Sequence, residues 1–301
     1  MKQSIAAIIC LTVSLFAARG AAPGNMAAQQ ADIPQGYSLV WSDEFNGTAL
    51  DRSVWNVEVN DHGGGNQELQ YYIDSPENIT VADGCLRIAA RKVEHQGRSF
   101  TSGRINTLGK MHFQYGILEA SIRIPETDGG LWPAFWAMGA DITECGWPRC
   151  GETDILEMGH HDGMAQSVPR QLFNGALHWG PGQHMQTVGV STHPTPLQDG
   201  EFHRFRLVWT PQRLEMSVDG GEPYLVADIS ESSTDKSPGA YFNKPNFILF
   251  NMAVGGLFTG LLTPDEITAL GDHRRQATLE VDYVRLYQRP GETFTLAGQE
   301  Q

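Results

Sequence analysis

From Tyr37 to Gln288 the chain is built of short segments whose side chains alternate in character with a period of two. Gly, Pro, Asn and Asp separate them. The clearest are Gly84–Ala90, Gly116–Ile124, Phe205–Trp209, Leu214–Gly220 and Leu279–Tyr287. Successive side chains on a strand point to opposite faces, so each segment suits a strand with one buried face. Repeated at short intervals with turn residues between, the pattern predicts an all-β antiparallel sandwich. Helical spacing is confined to a weak turn at Thr263–Ile267, where Thr263 suits a cap and Pro264 the first helical position. No composition shift, repeat or long linker marks a second domain. The least patterned stretch, 162–200, reads as loops over one rim.

Residues 1–22 read as an export signal: Lys2 supplies the positive start, Ile5 to Ala18 is apolar, and Gly20, Ala21 and Ala22 are small. The apolar run is too short for a membrane span. Residues 23–33 then form a mature N-terminal tail, 34–290 the domain, and 291–301 a loose C-terminal tail. Loss of the signal removes Lys2 and Arg19, moving the formal charge from -14 to about -16. Such acidity argues against nucleic acid and anionic membrane surfaces as partners, and fits a secreted or periplasmic monomer acting on something uncharged. Cys145 and Cys150 flank a turn-prone Gly-Trp-Pro-Arg loop, and in an exported protein they are a disulfide candidate. Cys85 is left as a small buried apolar residue.

Gly151 to Glu157 reads Gly-Glu-Thr-Asp-Ile-Leu-Glu, three acids inside a run that otherwise looks like a buried strand. Glu152 and Asp154 share a face, whereas Glu157 falls opposite unless one extra residue is looped out between Asp154 and Glu157. A β-bulge there brings all three acids to one side. The two Glu Cα atoms then stand roughly 13 Å apart, and side chains leaning together close to about 5–5.5 Å, the separation used in retaining glycosidases. Solvated surface acids or a calcium site are the alternatives that the spacing leaves open. The aromatic-rich Gly130–Trp136 run just upstream favours a sugar cleft, since pyranose faces stack on flat apolar rings. Spacing alone does not say which Glu attacks and which donates a proton. His160 and His161, adjacent on a strand, point to opposite faces.

The chain resembles family 16 glycoside hydrolases of the laminarinase branch. The resemblance is carried by Trp41–Gly47, Asn66–Tyr72, Thr101–Ile105, Gly130–Trp136, Gly151–Glu157, His178–Gly180, Asn251–Gly256 and Val281–Arg285 in that order. It implies a β-jelly-roll of two curved sheets with a concave cleft, and endo-hydrolysis of β-1,3-glucan with retention. Glu152 matches the nucleophile, Glu157 the acid/base and Asp154 the helper carboxylate. Asn66 and Arg104 match residues bonding sugars on the non-reducing side of the cut. Trp132 and Trp136 match cleft tryptophans, with Trp136 equally readable as core. His178 matches a His beside the acid/base, and Asn251 lies near the cleft. Glu44, the Gly84 carbonyl and Asp282 match the surroundings of a structural calcium ion in some relatives; catalysis itself calls for no cofactor. The laminarinases, agarases and carrageenases share the bulged acidic motif, whereas lichenases resemble an unbulged form. Thr153 stands where many relatives carry Ile or Leu and is expected to face away from the cleft. Hydrolysis of neutral agarose, transglycosylation and non-catalytic glucan binding are the competing readings, the last disfavoured because both Glu residues are present.

Overall fold

The structure, a computed structural model, describes residues 33–298. The proposed signal and nearly all of the N-terminal tail lie outside the described residues. Among those described, the strands form two sheets packed face to face as a β-jelly-roll. One runs, edge to edge, through Leu225–Asp228, Arg213–Val218, His203–Trp209, Gly116–Arg123, Gln276–Gln288, Cys85–Arg91, Phe100–Ser102 and Gln70–Tyr72. The other runs through Met185–Thr192, Leu172–Trp179, Glu152–Met158, Leu131–Gly139, Asn246–Val254, Arg104–Asn106 and Asn56–Val57. Pairing is antiparallel apart from Gln70–Tyr72 beside Phe100–Ser102, which is parallel.

Alternation sorts the side chains of the second sheet. Leu131, Phe135 and Ala137 join Ile248, Phe250 and Met252 in the core between the sheets, where the Phe135 and Phe250 rings stack at 4.7 Å. Trp132, Ala134, Trp136 and Met138 point the other way, as do Phe247, Leu249 and Asn251. That outer face is itself packed: Ala134, Trp136, Met138, Phe247 and Leu249 form a second, smaller apolar cluster with Cys150. The site therefore stands on a floor supported from both sides.

Three readings of the sequence need correction. The stretch 162–200 holds two strands, Leu172–Trp179 and Met185–Thr192, rather than loops alone. Met185–Thr192 is an edge strand with wet side chains on both faces, so it lacks the alternation that marks a half-buried one. The stretch beyond Arg289 is no loose tail, because Thr293–Leu296 pairs with Met111–Gln114. His160 and His161 are not on a strand: it ends at Met158, and His160 caps the short helix His161–Ala165, its Nδ1 accepting from the Asp162 N–H. The turn at Thr263 forms as expected, Pro264–Glu266 being a 3-10 helix with the Glu266 carboxylate accepting from the Thr263 N–H. No helix among the described residues is long and apolar enough to cross a membrane.

Candidate active site

The bulge required by the acid spacing is present. Opposite Leu172–Trp179, Asp154 faces Ala176 and Glu157 faces Asn174, so three steps on one strand match two on its neighbour. The same slip occurs against Leu131–Gly139, where Phe135 faces Leu156 and Trp136 faces Asp154. Ile155 and Leu156 both enter the inter-sheet core, fully buried, and Glu157 returns to the face of Glu152 and Asp154. A bulge takes a carbonyl out of the ladder, and here the Tyr224 hydroxyl donates to the freed Ile155 oxygen. Room for the Tyr224 ring comes from Gly175: a Cβ there would lie 2.7 Å from the ring and 2.8 Å from the Met216 sulfur. Thr153 is buried on the side away from the acids, as expected.

Rows of cross-strand partners run over the outer face. One reads Arg104, Asn251, Ala134, Glu157, Asn174; a second reads Leu249, Trp136, Asp154, Ala176; a third reads Met138, Glu152, His178. One polar atom from each of Glu152, Asp154 and His178 gathers within 4.8 Å. Burial pushes the Glu152 carboxyl up to about 8, with Asp154 adding to the rise and His178, Arg104 and the Trp147 indole N–H opposing it. Burial likewise raises Asp154 to about 8 and Glu157 well above its usual range, where Asp154 is again the main like charge. Burial and like charge both favour protonation here, so near neutrality the three carboxyls are not all ionised.

These shifts have a consequence for stability. A carboxyl whose pKa rises from 4.5 to about 8 on folding favours the native state below pH 4.5, and that contribution is lost as pH climbs through about 8. The unfolding free energy is thus expected to fall between those limits, and less steeply in Glu152→Gln. Urea midpoints of both proteins at pH 5 and pH 8 check this; parallel declines would contradict it.

The tryptophans support the acids. Trp132 donates its indole N–H to Glu157 Oε1 at 3.0 Å, and Phe258 stacks on its ring at 4.4 Å and 8°. One face of Trp132 is thus covered by protein, which narrows the stacking role expected for it. Trp136 is both core and floor: its ring is 7% exposed, its N–H donates to Asn251 Oδ1 at 2.8 Å, and the Arg104 guanidinium lies 4.8 Å above it. Arg104 is fixed by Glu58 Oε1 at 2.9 Å. Asn251 in turn donates to the Tyr72 hydroxyl at 3.3 Å, which donates to Glu68. Asn66 ends the turn Gly63–Gly65, its side chain directed back at the Gly64 carbonyl. His178 Nε2 stands 3.2 Å from Asp154 Oδ2, but the angle makes no hydrogen bond and that buried oxygen has no donor.

Cys145 and Cys150 are free thiols, so the proposed disulfide is not formed. Cys150 is buried in the floor cluster, and burial pushes its thiol up to about 12. The loop between them still serves the site by bringing Trp147 to Glu152. Glu58, Trp147, Asn174, His184 and Tyr224 escaped the sequence reading. Only Asn174 had a signal: with His178 on the outer face, alternation puts 176 and 174 there too. The others arrive from loops and neighbouring strands that local pattern does not connect.

A family profile described as beta-glucan synthesis-associated protein SKN1/KRE6/Sbg1 matches residues 10–198. The glucan endo-1,3-beta-glucosidase A1 of Niallia circulans is 34% identical over 273 residues, covering 84% of this chain and 38% of its own length. This chain thus spans well under half of that relative. The beta-glucanase of Rhodothermus marinus is 35% identical over 272 residues, 87% of this chain and 89% of that one. A family 16 hydrolase of Bacteroides ovatus, solved with a mixed-linkage glucan product, superposes with a TM-score of 0.72 at 38% identity, over 82% of this chain and 99% of its own. With the bulged triad of acids on a jelly-roll, these similarities identify the chain as a member of glycoside hydrolase family 16.

Proposed function

We propose that the chain is a retaining endo-glycosidase that cuts β-1,3-glucan by double displacement. The observation that carries this is the bulge that sets Glu152, Asp154 and Glu157 on one face. Glu152 attacks the anomeric carbon in its ionised form, the fraction that grows as pH rises toward about 8, while Glu157, protonated, gives its proton to the departing oxygen. A covalent glycosyl-enzyme results. Glu157 then takes a proton from water as the water breaks that ester. Asp154, between them, discourages a second negative charge and shares the proton inventory. Asn66 and Arg104 bind sugars on the non-reducing side, with Trp136 and Asn251 keeping Arg104 in place, and Trp132 orients Glu157. Glucanases of this family need no cofactor for catalysis.

The likeness to the Bacteroides ovatus hydrolase and its mixed-linkage product favours mixed β-1,3/1,4-glucan as a second substrate. Incubation with laminarin, lichenan and agarose, read as new reducing ends, tests the assignment. Laminarin is expected to be cut fastest, with the β-anomer formed first. No turnover on any of them would leave glucan binding without catalysis, and agarose alone would move the chain to galactans. Transfer to added oligosaccharide would appear as lengthened products. The residue 1–22 segment is proposed to direct export as a monomer, which sequencing the mature N-terminus and sedimentation would check.

A structural calcium ion is also proposed. Both Glu44 carboxylate oxygens already accept from Arg285, at 2.8 Å each, so its main-chain oxygen is the less committed ligand. Burial raises the Asp282 carboxyl; Arg285 opposes the rise and the Glu44 charge adds a smaller one. That environment suits a cation held by Asp282 with the Gly84 and Glu44 carbonyls. Chelation is expected to lower Tm by about 5 °C, the size set by ligand linkage for a domain this large. Asp282→Asn should abolish the difference, and a Tm indifferent to chelator would refute the ion.

A further inference from the structure

Past the end of Leu172–Trp179, the turn 180–184 is too tight for a side chain at Gly180, where a Cβ would lie 2.0 Å from the Gln183 carbonyl oxygen. The turn brings His184 back beneath His178, with His184 Nε2 2.8 Å from His178 Nδ1 and the rings 5.0 Å apart. His184 also lies 4.8 Å from the Trp147 ring, whose indole N–H reaches Glu152. A chain of polar groups thus runs from an exposed rim residue through His178 to Asp154.

The contact between the two ring nitrogens holds one hydrogen, and its location decides what His178 shows Asp154. If His178 gives the proton to the contact, its Nε2 faces Asp154 as a bare lone pair, opposed to any ionised carboxylate. If His184 gives it, His178 Nδ1 accepts and Nε2 carries the hydrogen, 3.2 Å from Asp154 Oδ2 though off the line of a hydrogen bond. The second arrangement sets an N–H, rather than a lone pair, beside a buried oxygen that has no donor. We propose that His184 is a positioning residue that fixes the Nε2–H tautomer of His178, so that an N–H and not a lone pair stands beside the helper carboxylate. The charged and titratable groups around His178 are Glu152, Asp154 and Glu157 on the acid strand and His184 on the turn, while Arg104 bears on Glu152 from across the floor. Arg149 stands beside Gly182 at the turn itself.

The kinetic consequence rests on the reaction proposed above; the tautomer does not. Long-range 15N–1H spectra of the imidazoles at pH 7 are expected to show His178 as Nε2–H in the wild type and a mixture in His184→Ala. On laminarin, His184→Ala should lose about tenfold in kcat, by analogy with the hydrogen-bond partners that fix the tautomer of metal-bound histidines, with KM nearly unchanged. It should also displace one limb of the pH–kcat profile. His184→Gln, whose amide donates in the same place, should restore both. A wild-type His178 in the Nδ1–H form would overturn the proposal, as would a His184→Ala profile of unchanged shape or a failure of Gln to restore it. A wild type that cuts no glucan would instead sink the reaction, while the spectra still decide the tautomer.

Discussion

Glu152→Ala and Glu157→Ala are each expected to lower turnover on the best glucan by about four orders of magnitude or more, because neither displacement proceeds without its carboxyl. The two losses should differ in kind. Without Glu152 the intermediate cannot form, and a small anion added to the vacated space should restore some cleavage with the opposite anomer. Without Glu157 only protonation is missing, so a substrate with an acidic phenol as leaving group should react far better than the polysaccharide. The pH limb due to the acid should also vanish. Folding should survive both changes, since each removes a carboxyl whose ionisation burial opposes. Kinetics on laminarin and on an aryl glycoside check all of this. Near-normal turnover by either variant would end the assignment.

Gly175→Val is expected to cost about 3 kcal/mol of stability. Overpacking alone costs about 1–3 kcal/mol, and a displaced Tyr224 leaves the Ile155 carbonyl buried without a donor, about 1–3 kcal/mol more. The added carbon would meet the Tyr224 ring and the Met216 sulfur rather than a yielding surface chain. Tyr224→Phe keeps the ring and removes only the hydroxyl, so a smaller loss of about 1–2 kcal/mol is expected. Both should lower kcat, because the same contact holds the bulge that turns Glu157 outward. Urea midpoints beside kcat values test this. A Gly175→Val protein as stable and active as wild type would show that the bulge holds itself.

Much of this could be read from residues alone, for a physical reason in each case. Strands with one wet face announce themselves by alternation, and Gly116–Ile124 was located to within a residue of the observed Gly116–Arg123. The bulge was legible because two acids and a third at odd spacing share a face only one way. Met185–Thr192 was not legible, being an edge strand wet on both sides. The support of the acids was equally silent. Glu58 holding Arg104, and Tyr224 holding Ile155, join residues 46 and 69 positions apart. Cys145 and Cys150 misled because closeness in sequence says nothing about whether two thiols pair.

A ribbon that stores its surplus residue as a loop-out has an unusual freedom. Elsewhere in the sheet, dropping one residue inverts every side chain beyond it. At Ile155 it would not: Leu156 alone would fill the inward step, and Glu157 would stay where it faces now. Lengthening or shortening by one at this place is therefore a change in reach and packing rather than in orientation. Of all positions in the sheet, the one beside the chemistry is the one where the chain can afford to vary in length.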